Sequence, residues 1–153
     1  MSFDTRAGTR GARQPKGRLL RWMNTLMARR IGRRGGGKFM GFDALVLRTV
    51  GRKSGVERTT PVGWFAAPDG SRLIVASAAG APGNPAWYYN LAANPDKVRI
   101  DLDGRTIDVR AEQLHGPERD EAWKLITTAS PRFAEYQVKT DRELPVIRLV
   151  ERS

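Results

Sequence analysis

The residues best suited to chemistry in this chain are Arg52, Lys53 and Ser54, bracketed by Gly51 and Gly55 and followed by Arg58, Thr59, Thr60 and Pro61. Glycine tolerates the positive φ that tight turns need, and serine supplies a short hydroxyl. Such a turn aims two cationic heads, a hydroxyl and several backbone N–H groups at one spot. That set suits an anion, either a phosphate or a run of carboxylates. The same residues also suit a plain solvated hairpin with basic tips, so the choice rests on the rest of the chain. A second stretch bears on it. Ala78-Ala79-Gly80-Ala81-Pro82-Gly83-Asn84 is a loop of small residues, and small residues let another group approach the backbone closely.

Several kinds of chemistry are excluded. The chain has no cysteine, so it has no disulfide framework, no thiolate nucleophile and no Cys-ligated metal. Its one histidine, His115, precedes Gly116-Pro117 and reads as a loop residue rather than a ligand. No hydrolase triad, Walker loop, dinucleotide-binding glycine fingerprint or metal-ligand cluster is present. An enzyme built this way draws its chemistry from a bound cofactor. Charge points the same way. Residues 1–60 carry 15 Lys and Arg against 3 Asp and Glu, and residues 61–153 carry 12 against 13, so the net +11 belongs to the front of the chain. An anionic partner is expected there: a membrane surface, a nucleic acid or an acidic cofactor.

The elements that must position these residues follow from patterning. Asp43–Val50 and Val56–Ala66 read as strands flanking the Gly51–Gly55 turn, with Pro61 and Gly63 marking an edge or a bulge. Arg72–Ser77 is a β-branched strand leading into the small-residue loop. Asn84 is placed to cap a helix that Pro85 opens and that runs through Ala86, Trp87, Tyr88, Tyr89 and Asn90 towards Asn94. Lys97–Leu102 and Arg105–Leu114 alternate apolar and charged residues about Asp103-Gly104, a hairpin signature. A helix is predicted from Pro117 to Ala129, with Glu118, Asp120 and Glu121 in its first turn. A short helix or loop is predicted over 131–137, and a last strand over 145–150. About six strands in antiparallel hairpins, with helices to the side, give an α+β fold around a small barrel. Two regions are expected: a basic tail plus amphipathic helix over 1–37, and a cofactor-binding barrel over 38–153.

Three blocks in this order resemble the deazaflavin-dependent nitroreductases of actinobacteria. They are Gly51-Arg-Lys-Ser-Gly55 with Arg58-Thr-Thr-Pro61; Val75-Ala-Ser77 with Asn84-Pro-Ala-Trp-Tyr-Tyr-Asn-Leu91 and Asn94-Pro95; and Tyr136-Gln137, Thr140, Arg142 and Leu144-Pro-Val146. The resemblance runs from about Phe39 to Val150. It implies a split β-barrel, like the flavin-binding barrels of pyridoxamine-phosphate oxidases, that binds the reduced 8-hydroxy-5-deazaflavin coenzyme F420. It also implies hydride transfer to quinones, nitroaromatics and other conjugated acceptors. By the same resemblance, Arg52, Lys53 and Ser54 hold the coenzyme's phosphate and polyglutamate tail, with Gly55, Arg58, Thr59 and Pro61 beside them. Ala76, Ser77, Ala78 and Ala79 lie against the ring and offer backbone N–H groups; Pro85, Ala86 and Trp87 close the groove. Phe133, Ser130 and Tyr136 face the acceptor, with Tyr136 positioning it. The chain departs from the pattern at Ala78, where some relatives carry lysine, and at Ser130 and Phe133, where relatives carry tyrosines. An acceptor pocket poorer in hydroxyls is expected.

The residues alone agree on two points: a phosphodiester with carboxylates suits the basic turn, and a flat ring suits a small-residue loop beside an aromatic. Three other readings fit parts of the sequence, namely a nucleic-acid binder, a non-catalytic carrier of the deazaflavin and a barrel using flavin mononucleotide. Nucleic acid is disfavoured because aromatics do not alternate with the basic residues and the second half is neutral. Residues 1–17 read as a disordered basic tail. In residues 18–31, Leu19, Leu20, Met23, Leu26, Met27 and Ile31 recur at helical spacing among arginines with Trp22 beside them. That helix can pack on the barrel or lie on anionic lipid, where a quinone such as menaquinone would be met. No apolar run reaches bilayer length and no secretory segment is seen. The expected location is the cytoplasm, with a peripheral place at the inner membrane face open to it.

Overall fold

A computed structural model of the chain describes residues 3–11, 37–39 and 42–152. The stretch 18–31, read above as an amphipathic helix, lies outside the described residues. Among those described are eight strands: β1 (Gly37–Phe39), β2 (Phe42–Val50), β3 (Glu57–Gly63), β4 (Phe65–Ala66), β5 (Arg72–Val75), β6 (Val98–Leu102), β7 (Arg105–Gln113) and β8 (Val146–Glu151). Three α-helices join them: α1 (Ala86–Ala93), α2 (Gly116–Ala129) and α3 (Arg132–Lys139), with a 3-10 turn at Ala78–Gly80.

Every strand pairing is antiparallel. The sheet runs from β3 through β2, β6, β7, β8 and β5 to β4, with β1 also on β2. Its two ends, β3 and β4, are separated in the chain by Trp64 alone. A flat sheet cannot satisfy that link, so the sheet curls until its ends approach, and the result is a split β-barrel.

The period-2 alternation of strands decides what fills it. Leu45 and Leu47 of β2, Val98 and Ile100 of β6, Val109 of β7, Ile74 of β5, and Ile147 and Leu149 of β8 point inward and are buried. Helix α1 plugs this interior with Trp87, Tyr88 and Leu91. The opposite faces of β5 and β8 are buried as well. Leu73, Val75 and Val146 pack under α2 and α3 against Ala122, Ile126, Phe133 and Leu144. Strands covered on both sides explain the near-continuous apolar runs at 73–76 and 144–147.

The β6–β7 hairpin has the predicted two-residue turn, with Asp103 at φ 53° and Gly104 at φ 74°, the pair of positive angles that a type I′ turn needs. Elsewhere the structure differs from the expectations. The run 56–66 is two strands broken at Trp64. Pro61 is tolerated because β3 pairs with β2 only, so it sits on an edge. With β1 and β4, the described strands exceed the expected six. Asn84 does not cap α1; Pro85 takes the cap position without a side-chain bond. The Asn84 side-chain amide instead donates to the Thr5 carbonyl (2.8 Å) and the Tyr89 hydroxyl (3.3 Å).

Residues 3–11, read as part of a disordered tail, run along the body as an ordered strap. The Thr5 N–H donates to the Tyr88 hydroxyl (3.0 Å) and the Gly8 N–H to the Pro82 carbonyl (2.6 Å). The Thr9 N–H (2.8 Å), the Thr9 hydroxyl and the Arg10 N–H (3.2 Å) all donate to Asp141. Phe3 packs edge-on against Tyr88. Low hydrophobicity signalled disorder, but this segment is held by specific polar partners that composition cannot show.

Candidate functional site

The Gly51–Gly55 turn closes through the Gly55 N–H on the Gly51 carbonyl (2.9 Å) and the Gly51 N–H on the Val56 carbonyl (2.8 Å). Gly55 lies at φ +71°, which accounts for glycine there. The Ser54 hydroxyl accepts the Val56 N–H (3.2 Å), and Arg52, Lys53 and Ser54 are exposed. The turn is tied to α1 by Asn90, whose side-chain oxygen accepts the Arg52 N–H (3.1 Å) while its amide donates to the Thr49 hydroxyl (3.1 Å). The Arg52 guanidinium stacks over the Tyr89 ring at 4.8 Å, a cation–π contact that holds the head near the turn.

Register sorts the residues after the turn. Arg58 lies opposite Thr49, and Thr60 opposite Leu47, on the face that looks into the barrel. Thr59 lies opposite Arg48 on the other face, where Arg48 pairs with Glu57 and Asp101. Thr59 was expected beside Arg58 at the cofactor. Strand alternation puts the Thr59 side chain on the face opposite Arg58, and Thr60 shares the Arg58 face. Pro61 is buried on the Thr59 side.

The small-residue loop has an unusual backbone. Ser77 is right-handed helical, then Ala78 (φ 46°), Ala79 (φ 54°) and Gly80 (φ 83°) are all left-handed. A right-handed residue followed by left-handed ones makes a concavity of N–H groups suited to negative charge. Two consecutive alanines at positive φ are strained, and such strain persists only where surroundings over-determine it. Here the determinant is Arg142, a side chain 2% exposed. Its guanidinium donates to the carbonyls of Ala76 (2.8 Å), Ser77 (2.8 Å) and Ala81 (3.1 and 3.3 Å) and to the Asn84 side-chain oxygen (2.7 Å). Burial pushes the Arg142 pKa down, while the charges of Tyr89 and Tyr88 act in the opposite sense.

Helix α3 covers the other side of this loop. A methyl group added at Gly80 would meet the Tyr136 carbonyl at 2.8 Å, so Tyr136 and the loop are in close contact. The Tyr136 ring is half-buried, edge-on to Phe133, with the Lys139 ammonium over it at 5.9 Å. Phe133 and Ser130 lie deeper. Phe133 is in the outer core between Phe65 and Tyr136, and Ser130 ends α2, its N–H on the Ile126 carbonyl. Ala76 is fully buried; Ser77, Ala78, Ala79 and Pro85 are partly exposed; Ala86 is exposed; and Trp87 belongs to the barrel core.

Tyr89 therefore connects the two halves of the site. Its ring receives Arg52 and its hydroxyl receives Asn84. The basic turn and the small-residue loop lie along one short helix, as an elongated ligand with an anionic tail and a flat head would require. The model of the family described as F420H(2)-dependent quinone reductase matches residues 20–151. The chain belongs to that family. Among its relatives is an F420H(2)-dependent quinone reductase of Mycobacterium tuberculosis strain H37Rv, 39% identical over 112 residues, covering 71% of this chain and 74% of the relative. A solved F420-H2 dependent reductase superposes with a TM-score of 0.62 at 39% identity, covering 69% of this chain and 92% of that one. A second structure, described as a domain-swapped dimer, gives 0.64 at 35% identity over 86% of this chain and 98% of that one. The reductase thus uses coenzyme F420 and transfers hydride to a small-molecule acceptor of the quinone, nitroaromatic or related conjugated class.

Pattern alone did not single out three residues that hold the turn and the loop in place: Tyr89, Asn90 and Arg142. Tyr89, Asn90 and Arg142 stood in the family blocks, but nothing in their types announced a tether, a platform or a buried cation. No helix among the described residues is long and apolar enough to cross a membrane.

Proposed function

We propose that the reductase holds F420 along α1, with the phosphate and carboxylate tail on Arg52, Lys53, Ser54 and Arg58 and the deazaflavin ring against Ser77–Ala79, and that its acceptor is a membrane quinone of the menaquinone class. The observation that carries the reading is Tyr89, which places the cationic turn and the left-handed loop side by side. The donor set fits the coenzyme. Exposed guanidinium and ammonium heads suit phosphate and carboxylate, and a loop of alanines leaves room for a planar ring.

Bound, the reduced deazaflavin supplies the hydride. The protein's share is placement. Trp87, locked in the barrel core, fixes the start of α1, and Pro85 and Ala86 wall the groove beside it. Tyr136, whose backbone is pressed against Gly80, orients the acceptor beside the loop. Holding the two reactants at contact distance accounts for most of the acceleration a protein can give such a transfer.

The test is a fluorescence titration with coenzyme F420, using flavin mononucleotide as competitor. Saturable binding that weakens about tenfold in Arg52→Ala and in Lys53→Ala, as expected for loss of one charge-assisted contact, supports the reading. Binding of flavin mononucleotide alone, or F420 binding indifferent to both substitutions, removes it. For the acceptor, the cationic stretch 18–31 supports a peripheral place on anionic lipid. Full-length protein with Arg21, Arg29 and Arg30 changed to Glu should no longer sediment with phosphatidylglycerol vesicles. Unchanged sedimentation rejects that placement.

A further inference from the structure

The guanidinium of Arg142 has five N–H donors, and all of them are spent within one loop, on Ala76, Ser77, Ala81 and Asn84. No partner among these is an anion. The acids nearby are engaged elsewhere. Asp141 accepts from Thr9 and Arg10, Glu143 pairs with Arg119, and Asp4 faces His115. From α1 the facing titratable groups are the phenols of Tyr88 and Tyr89. A cavity of about 460 Å³ on the strap side, which Arg142 also lines, carries Asp4, Arg6, His115, Asp141 and Glu143. None of these carboxylates forms an ion pair with Arg142. A buried cation in such surroundings acts over a longer range than a solvated one.

Peptide geometry gives the direction of its effect. In a trans peptide the C=O of one residue and the N–H of the next point oppositely. By drawing in the carbonyls of Ala76 and Ser77, Arg142 turns the N–H groups of Ser77 and Ala78 the other way. The left-handed Ala78–Gly80 turn follows, closed by the Gly80 N–H on the Ser77 carbonyl (2.9 Å). The cation and its oriented peptide dipoles therefore act together, positive towards whatever lies on the outer face of the loop.

We propose that Arg142 is a positioning residue for the deazaflavin: it holds loop 76–84 in the form that receives the ring, and its unneutralised charge favours the ionised ring hydroxyl of the oxidised coenzyme. This rests on the placement of the ring proposed above. It adds a second function for the buried charge, because a neutral hydrogen-bonding group of the same shape would hold the loop without biasing the ring's charge.

Two quantities test it in the full-length protein. One is the affinity for the deazaflavin riboside, which lacks phosphate and tail. The other is the midpoint of an absorbance titration of bound oxidised F420. Arg142→Met should lose about tenfold or more in riboside affinity and raise the midpoint by about one pH unit, the lower end of what a nearby charge does. Arg142→Lys keeps the charge but only three donors. It should hold the midpoint near wild type while losing riboside affinity. Asn84→Asp places a carboxylate on the guanidinium and should raise the midpoint with the loop still in place. Asn84→Ala loses the same amide donors without adding charge and should not raise it. If Arg142→Met does not fold, the two Asn84 variants and Arg142→Lys decide the matter. Wild-type midpoints in Asn84→Asp together with wild-type riboside affinity in Arg142→Lys would overturn the proposal while leaving the site intact. Failure of wild-type protein to bind F420 at all would overturn the site first, and this inference with it.

Discussion

Asn90 is the residue through which stability and cofactor binding can be separated. It is 8% exposed, and its side chain makes two hydrogen bonds of 3.1 Å, one from the Arg52 N–H and one to the Thr49 hydroxyl. Asn90→Ala removes both and leaves the buried Thr49 hydroxyl and the Arg52 N–H without them. A loss of about 2 kcal/mol is expected. At roughly 3 °C per kcal/mol for a chain of this size, the melting temperature should fall by about 6 °C. The turn also loses its anchor to α1, so F420 affinity should fall with it. Asn90→Asp is different. Its carboxylate still accepts the Arg52 N–H, and the Thr49 hydroxyl can rotate to donate, so the melting temperature should stay within about 3 °C of wild type. A negative charge now stands beside the cradle. At a separation of about 8 Å and an effective dielectric of about 40, it repels a phosphate by about 1 kcal/mol, or about fivefold in affinity. Differential scanning calorimetry and F420 fluorescence titration read the two effects. An Asn90→Ala protein that melts within about 1 °C of wild type, or an Asn90→Asp protein that binds F420 as tightly, would refute the tether and the cradle respectively.

Three further outcomes are expected. Gly80→Ala puts a methyl 2.8 Å from the Tyr136 carbonyl at φ +83°; the left-handed penalty alone is about 1–2 kcal/mol, so the melting temperature should drop by about 5 °C or more, and no drop would mean the loop does not hold this form. Arg58→Gln should weaken F420 binding about tenfold while Thr59→Val changes it less than about twofold, because only the former is on the barrel-facing side; the reverse order would contradict the strand register. Hydrogen bonds from Thr9 and Arg10 hold the Asp141 carboxyl down at about 2, from 3.8. A depressed carboxylate contributes its stabilisation above the unfolded pKa and loses it as pH falls through the folded one. Hydrogen exchange at the Thr9 amide should therefore accelerate, beyond the intrinsic pH trend, as pH falls from about 4 to about 2, and in Asp141→Asn that extra acceleration should vanish.

What pattern could show was local. Alternation about Asp103-Gly104 identifies the β6–β7 hairpin because both the period and the turn lie within about fifteen residues of chain. The pairing of Arg72 with Leu149 and of Gln113 with Ile147 is invisible to any window, since alternation says which residues face inward and not which strand lies alongside. The site divides the same way. The basic turn declares itself by glycines around charge, but nothing in Thr140-Asp141-Arg142-Glu143 marks Arg142 as buried. Its burial depends on a loop sixty residues upstream presenting carbonyls to it. Thr59 shows the converse: motif membership groups it with Arg58, while one step of strand alternation sets the two side chains on opposite faces.

The position of β8 has a consequence for synthesis. It is the last described strand in chain order, yet it lies inside the sheet, paired with β7 on one side and β5 on the other. As the chain leaves the ribosome, β5 and β7 are complete long before residues 146–151 exist, and each waits with an open edge of unpaired N–H and C=O groups. Such edges invite pairing with other chains. Barrel closure thus waits for the last of the described strands, and a message cut short near codon 145 would yield a product prone to aggregate rather than a weakened enzyme.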